Sequence, residues 1–157
     1  MKNSKNLFNS YLAEINITYH NKQKYADMKK VTSSSDAVEV LRSIWSDQIE
    51  YREEFVILCL NRANKVLGYS IVSTGGTTGT VADPKMIFQI ALKANAASII
   101  IAHNHPSGNT FASQSDKSHT AKIKKAGELL EISVLDSIIL TADSYKSFAD
   151  DGEMDFP

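Results

Sequence analysis

Residues 99–116 read Ile99-Ile100-Ile101-Ala102-His103-Asn104-His105-Pro106-Ser107-Gly108-Asn109-Thr110-Phe111-Ala112-Ser113-Gln114-Ser115-Asp116. Three isoleucines and an alanine make an apolar β-run, Pro106 ends it, Gly108 and Asn109 turn the chain, and Ser113 is placed to open a helix. The stretch predicts strand, turn and helix, with two histidines at the carboxyl end of the strand. Side chains two apart on a strand share a face about 6.6–7 Å apart along the backbone, so His103 and His105 can converge on one ion. Asp116 is the candidate third ligand, because it sits in the first helical turn, where the dipole favours an ionised carboxylate. Two imidazoles and a carboxylate, with a fourth position left for water, are the donor set of catalytic zinc. Magnesium and calcium prefer all-oxygen shells, while manganese and iron accept the same donors as zinc. The same residues also make ordinary structure, since Ser113 and Asp116 form a Ser-x-x-Asp capping box.

Residues 97–102 are apolar on both faces, which predicts a central strand. Before it, Asp83 caps a helix that Pro84 opens, with Met86, Ile87, Ile90, Ala91 and Ala94 as its apolar stripe. The helix after Ser113 carries Asp116, Thr120, Ile123, Gly127 and Leu130 on one stripe, aiming Asp116 back at the histidines. His119 lies near the same face, where it is either a further ligand or, since the motif does not require it, a hydrogen-bonded helix histidine, the reading preferred here; Lys117, Lys122, Lys124 and Lys125 read as the solvated side. Residues 53–61 and 66–73 predict two strands of a hairpin, and residues 132–140 a last strand. Residues 144–149 read as a short turn of helix and 150–157 as a loose acidic tail.

Towards the N-terminus, residues 1–11 are polar and read as frayed, while 13–19 alternate as a half-buried strand. A lysine-rich solvated run covers 20–30, with His20 at its start. Ser34-Ser35-Asp36 starts a helix running to near residue 47, whose Ala37, Val40, Leu41, Ile44 and Trp45 face the core. The Gly/Thr-rich residues 74–80 lack the Gly-Lys-Ser/Thr ending of a phosphate loop and read as a loop bordering the cleft. Helices alternating with strands and one hairpin imply an α/β protein with a mixed sheet flanked by helices.

His-x-His-Pro, six residues, Ser113, two residues and Asp116 resemble the JAMM (MPN+) metalloprotease signature. His-Asn-His-Pro-Ser-Gly followed by Ser-x-x-Asp resembles the bacterial RadC branch of that family, and the resemblance covers residues 53–148. It extends to Glu53-Glu54-Phe55, Ser73-Thr74-Gly75, Pro84-Lys85-Met86-Ile87-Phe88, Leu135-Asp136 and Ile138-Ile139. The chain departs from the branch at Ala112 (usually Pro), at Asp83 and Lys85 (usually His and Arg) and at Ser137 (usually His), none of them a metal ligand.

This resemblance implies an α/β/α sandwich similar to the cytidine-deaminase fold, with one zinc ion held by His103, His105 and Asp116. It implies a catalytic glutamate two residues before the Phe, which selects Glu53 over Glu54. It further implies hydrolysis of an amide bond, peptide or isopeptide, in a protein or peptide substrate, with Glu53 moving the proton of an activated water. Ser113 would donate to the oxyanion in addition to capping its helix. Base deaminases of related fold use a cysteine-rich zinc shell and a His-x-Glu, and neither is present. The RadC branch also carries a DNA-repair label, so the rival expectation is a nucleic-acid-associated module without proteolytic activity. Against it, the first 50 residues show no Gly-rich hairpin between helices.

At 157 residues, 43% hydrophobic and 22% charged, the chain is expected to form one soluble domain. A net charge of -1 gives no global attraction to nucleic acid or anionic lipid. No run approaches the roughly 18 apolar residues of a membrane span, no secretory leader is evident, and the single cysteine, Cys59, suits a reducing compartment. The expected location is the cytoplasm, with Cys59 a buried, inert thiol.

Overall fold

The computed structural model describes residues 22–75 and 82–156, together with residues 13, 16 and 18. The strand expected over 13–19, residues 1–11, His20 and positions 76–81 of the Gly/Thr-rich loop lie wholly or largely outside the described residues. In chain order a 3-10 turn at Tyr25–Asp27 precedes helix α1 (Ser34–Ile44), the strands β1 (Glu54–Leu60) and β2 (Val66–Thr74), and helix α2 (Pro84–Lys93). Strand β3 (Ser98–Asn104), helix α3 (Gln114–Leu129) and strands β4 (Ser133–Leu140) and β5 (Tyr145–Ser147) follow.

The sheet runs β2-β1-β3-β4-β5. β1 pairs antiparallel with β2 and β3, β3 runs parallel to β4 with α3 as the crossover, and β4 turns back into β5. The expected mixed sheet is therefore present, with β3 at its centre and all seven of its residues buried. Alternation along the strands feeds two cores. Phe55, Ile57, Cys59, Ile99, Ile101 and Val134 pack on one face with Ile87, Phe88 and Ala91 of α2 and Ile123 of α3. Val56, Leu58, Leu60, Ile100, Ala102, Ile138 and Leu140 pack on the other with Ala37, Val38 and Leu41 of α1. The result is three layers, α1 on one side of the sheet and α2 with α3 on the other.

Local chemistry sets the helix ends. Ser33, one residue earlier than expected, is the N-cap of α1 and forms a capping box with Asp36; the helix ends at Ile44 because Trp45 turns extended. Asp83 caps α2 by accepting from the Lys85 amide, and Pro84 takes the first helical position. Two stripe positions are corrected. Met86 is 47% exposed, since Ile87, Phe88 and Ala91 are the buried residues of α2. Leu130 is 40% exposed, because α3 ends at Leu129 and the chain turns at Glu131, whose φ is 56°.

The end of the chain also differs from expectation. Residues 145–147, expected in a helical turn, form strand β5 against Ile138, Ile139 and Leu140. The acidic residues that follow are tied down: Lys146 meets Asp151 and Glu153, Lys117 meets Glu153, and Lys124 Nζ donates to the Met154 carbonyl. Lys117 and Lys124 thus serve this segment rather than solvent alone, and Met154 and Phe156 cover Ile139 and Phe148. The anchor is Asp136, 5% exposed, which accepts from Ser147 Oγ and from the Ser137 and Ala149 amides. Burial raises its pKa, and those three hydrogen bonds work the other way.

One glycine is required by close approach. A Cβ at Gly127 would fall 2.4 Å from the Ile132 carbonyl oxygen, where α3 runs into β4. Helix propensity alone favours Ala over Gly by about 1 kcal/mol. Gly127→Ala is nonetheless expected to destabilise the fold by about 1–3 kcal/mol, because the obstructing atom is backbone. The urea midpoint measures this, and a stabilised variant would refute it.

Candidate metal centre

Alternation along β3 sends Ile99, Ile101 and His103 to the face that α2 and α3 cover, and Ile100, Ala102 and Asn104 to the face that α1 covers. His103 therefore ends its strand facing the start of α3. The capping box of α3 sets that start: Ser113 Oγ accepts from the Asp116 amide at 3.1 Å, and Asp116 Oδ2 accepts from the Ser113 amide and hydroxyl, both at 2.7 Å. With Oδ2 held by the cap, Oδ1 lies 3.3 Å from His103 Nε2.

His105 completes the group. Its Nε2 lies 3.0 Å from His103 Nε2 and 3.8 Å from Asp116 Oδ2, and one ligand atom from each of the three residues lies within 4.8 Å of the others. Ligands held 2.0–2.2 Å from one zinc ion in tetrahedral geometry stand about 3.3–3.6 Å apart, close to the 3.0 Å between the two imidazole nitrogens and the 3.3 Å from His103 Nε2 to Asp116 Oδ1. The tautomer also fits. His105 Nδ1 donates to the Asn109 carbonyl at 2.7 Å, which in a neutral imidazole leaves the Nε2 lone pair free for a metal. That carbonyl is presented by the turn at Gly108, where φ is 78°. Burial pushes the Asp116 pKa up, but hydrogen bonds from His103 and Ser113 outweigh it and hold the carboxyl below the ordinary range. The residues expected from sequence to hold a metal are brought together, with a donor set that fits zinc.

Phe55 stacks on His103 with the rings parallel to within 3° and their centroids 6.2 Å apart. Glu53 is two residues before Phe55 and on the same face by strand parity. It lines a cavity of about 60 Å³ together with Phe55, His103, Asp116 and His119. Glu54 points the other way. It is 3% exposed, accepts from Ser46 Oγ at 2.9 Å and lies 3.7 Å from Arg52 Nε. The structure therefore brings Glu53, and not Glu54, to the cavity that His103 and Asp116, two of the three candidate ligands, also line. Ser113 is exposed and its hydroxyl is engaged in the cap in both directions.

Two residues stand out that sequence reading left without this role. Asn104, fully buried between the histidines, accepts from the Glu54 amide at 2.7 Å and donates to the Ile49 and Arg52 carbonyls at 2.6 and 2.9 Å. It pins the loop that delivers Glu53. The only signal in the chain was its polarity inside a buried strand, since a buried amide needs partners. His119, expected to be hydrogen-bonded, is not: its Nε2 is buried with no partner among the described residues. Burial lowers its pKa, with His103 and Lys122 adding to the effect and Asp116 opposing it.

The profile of the RadC-like JAB domain matches residues 31–153. The chain belongs to the RadC-like JAB domain family. Among similar proteins, a UPF0758 protein of Flavobacterium johnsoniae is 43% identical over 125 residues, covering 80% of this chain and 54% of the relative. A UPF0758 protein of Chlorobaculum parvum is 37% identical over 122 residues, 78% of this chain and 54% of the relative. The chain thus spans about half the length of the curated relatives it matches. As a RadC-like JAB domain it carries a His-His-Asp group able to hold a metal ion. Of the branch departures, Ala112 packs with Ile139 and Phe148, and buried Ser137 hydrogen-bonds Thr120 at 3.0 Å. Cys59 is buried and its thiol is pushed up to about 11 by that burial, which suits an inert residue. Among the described residues no helix is long and apolar enough to cross a membrane.

Proposed function

We propose that this RadC-like JAB domain is a zinc-dependent hydrolase of amide bonds, peptide or isopeptide, in a protein or peptide substrate. The observation that carries the reading is the convergence of His103, His105 and Asp116, with Glu53 lining a cavity that His103 and Asp116 also line. Zinc held by those three residues would supply a water acidic near neutral pH and Lewis-acid polarisation of a carbonyl. The protein's own groups do the rest. Glu53, with no side-chain partner among the described residues, takes the proton of the attacking water and hands it to the departing amine. Phe55 holds His103 in orientation, and the Asn109 carbonyl holds His105 in the tautomer that faces the shared space. Ser113 can donate to an oxyanion by releasing Asp116 Oδ2, so its contribution is secondary to its cap. The lone buried Cys59 suits a cytoplasmic setting.

The test is cleavage of a proteome-derived peptide library and of lysine-linked isopeptides by the zinc-loaded protein, read by mass spectrometry. Glu53→Gln is expected to keep the metal and lose about 10²–10⁴-fold in rate, the usual contribution of a general base. Glu54→Gln should stay within about tenfold of wild type, as a residue directed away from the cavity. Equal losses in both variants would remove the assignment of Glu53, and an inert zinc-loaded wild type would remove the hydrolase reading.

A further inference from the structure

Among the described residues, His119 is the one imidazole that the metal group leaves unused. It lies one helical turn beyond Asp116, on α3, and its ring lines the cavity that Glu53, Phe55, His103 and Asp116 also bound. Phe55 stands edge-on to it, with ring centroids 5.6 Å apart and planes at 86°, so the ring is braced by packing. Its Nε2 is nevertheless buried without a hydrogen-bond partner among the described residues. A buried polar atom without a partner weakens a fold, and a leucine or phenylalanine would pack against Phe55 without that cost. The metal group does not explain the vacancy, for the ligand atoms that gather within 4.8 Å belong to His103, His105 and Asp116 alone among the described residues.

We propose that His119 is a substrate-positioning residue, whose Nε2 makes the hydrogen bond that seats an amide of the substrate in the cavity beside Glu53. The inference rests on the hydrolase reading and adds the group that orients the substrate. A neutral imidazole nitrogen is a donor in one tautomer and an acceptor in the other, and an amide offers both a carbonyl and an N–H. The cavity is small, about 60 Å³, which suits a planar amide rather than a bulky side chain. His119 acts by orientation, while proton transfer stays with Glu53.

The experiment uses acetohydroxamate, a small planar amide analogue, titrated calorimetrically into zinc-loaded wild type, His119→Gln, His119→Phe and His119→Leu. Both apolar variants are expected to keep their zinc, to melt no lower than wild type when metal-free, and to bind acetohydroxamate about fivefold more weakly, the worth of one hydrogen bond. His119→Gln, which restores a donor and an acceptor, should recover most of that loss. Wild-type affinity in both apolar variants with zinc retained would overturn this proposal and leave the hydrolase reading standing. Loss of zinc, or unfolding of both, would make His119 a ligand or a core residue and overturn it as well. A wild type that takes up no zinc would bring down both readings together.

Discussion

Asp116→Ala is expected to abolish stoichiometric metal binding. Zinc sites with four protein ligands bind with about 10–16 kcal/mol, roughly 3–4 kcal/mol for each ligand, so the loss of one corresponds to about 10²–10³-fold in affinity. His105→Ala should lose as much, but the two variants should differ in stability. Asp116 also accepts the Ser113 amide and hydroxyl, so its removal strips α3 of half its capping box and costs about 1 kcal/mol more in the metal-free protein. His105 contacts a turn carbonyl and the His103 ring and caps no helix, so the fold should tolerate its loss better. Elemental analysis after zinc dialysis, paired with urea unfolding of the metal-free variants, reads both quantities. Full metal content in Asp116→Ala would remove it from the ligand set.

Asn104→Ala is the second large effect, and it separates support from chemistry. The change deletes three hydrogen bonds at a fully buried site and leaves the Glu54 amide and the Ile49 and Arg52 carbonyls without that partner. Buried groups left unsatisfied cost about 1–3 kcal/mol each, with strong overlap, so a total of about 3 kcal/mol is expected. Zinc content should stay near wild type, because Asn104 faces away from the three ligands. Any hydrolytic rate should fall, because the loop that presents Glu53 loses its anchor. Asn104→Asp should be no better than Ala: it keeps an acceptor for the Glu54 amide but sets a carboxylate against two carbonyl oxygens. A variant as stable as wild type would show that other contacts hold the loop.

Much of this molecule is legible in local chemistry. The Ser113–Asp116 capping box, the Asp83–Pro84 helix start and the buried run of β3 involve neighbours in the chain, so residue types a few positions apart suffice to find them. The ligand group is legible for the same reason: two histidines at a strand end and an aspartate in the next helical turn are brought together by one strand, one turn and one helix. Met86 and Leu130 fail because periodicity identifies an apolar stripe without saying which of its edges the neighbouring layer covers. Residues 145–147 fail because three residues carry little pattern of their own and become a strand by pairing with Ile138, Ile139 and Leu140.

By itself the sequence determined the α/β class, the central strand and the three candidate ligands, since each depends on spacing within a few turns of backbone. The choice between Glu53 and Glu54 was different in kind. Adjacent strand residues point to opposite faces whatever their identity, so Glu53 was selected by its spacing from Phe55 in the family resemblance, and the placement of α1 on one face and α3 on the other is what puts it in the cavity with His103 and Asp116. Asn104 as the anchor of that loop, the ordered acidic segment and the Nε2 of His119, unpaired among the described residues, likewise belong to the tertiary structure, because each is defined by partners, or by their lack, contributed by other elements packed around it.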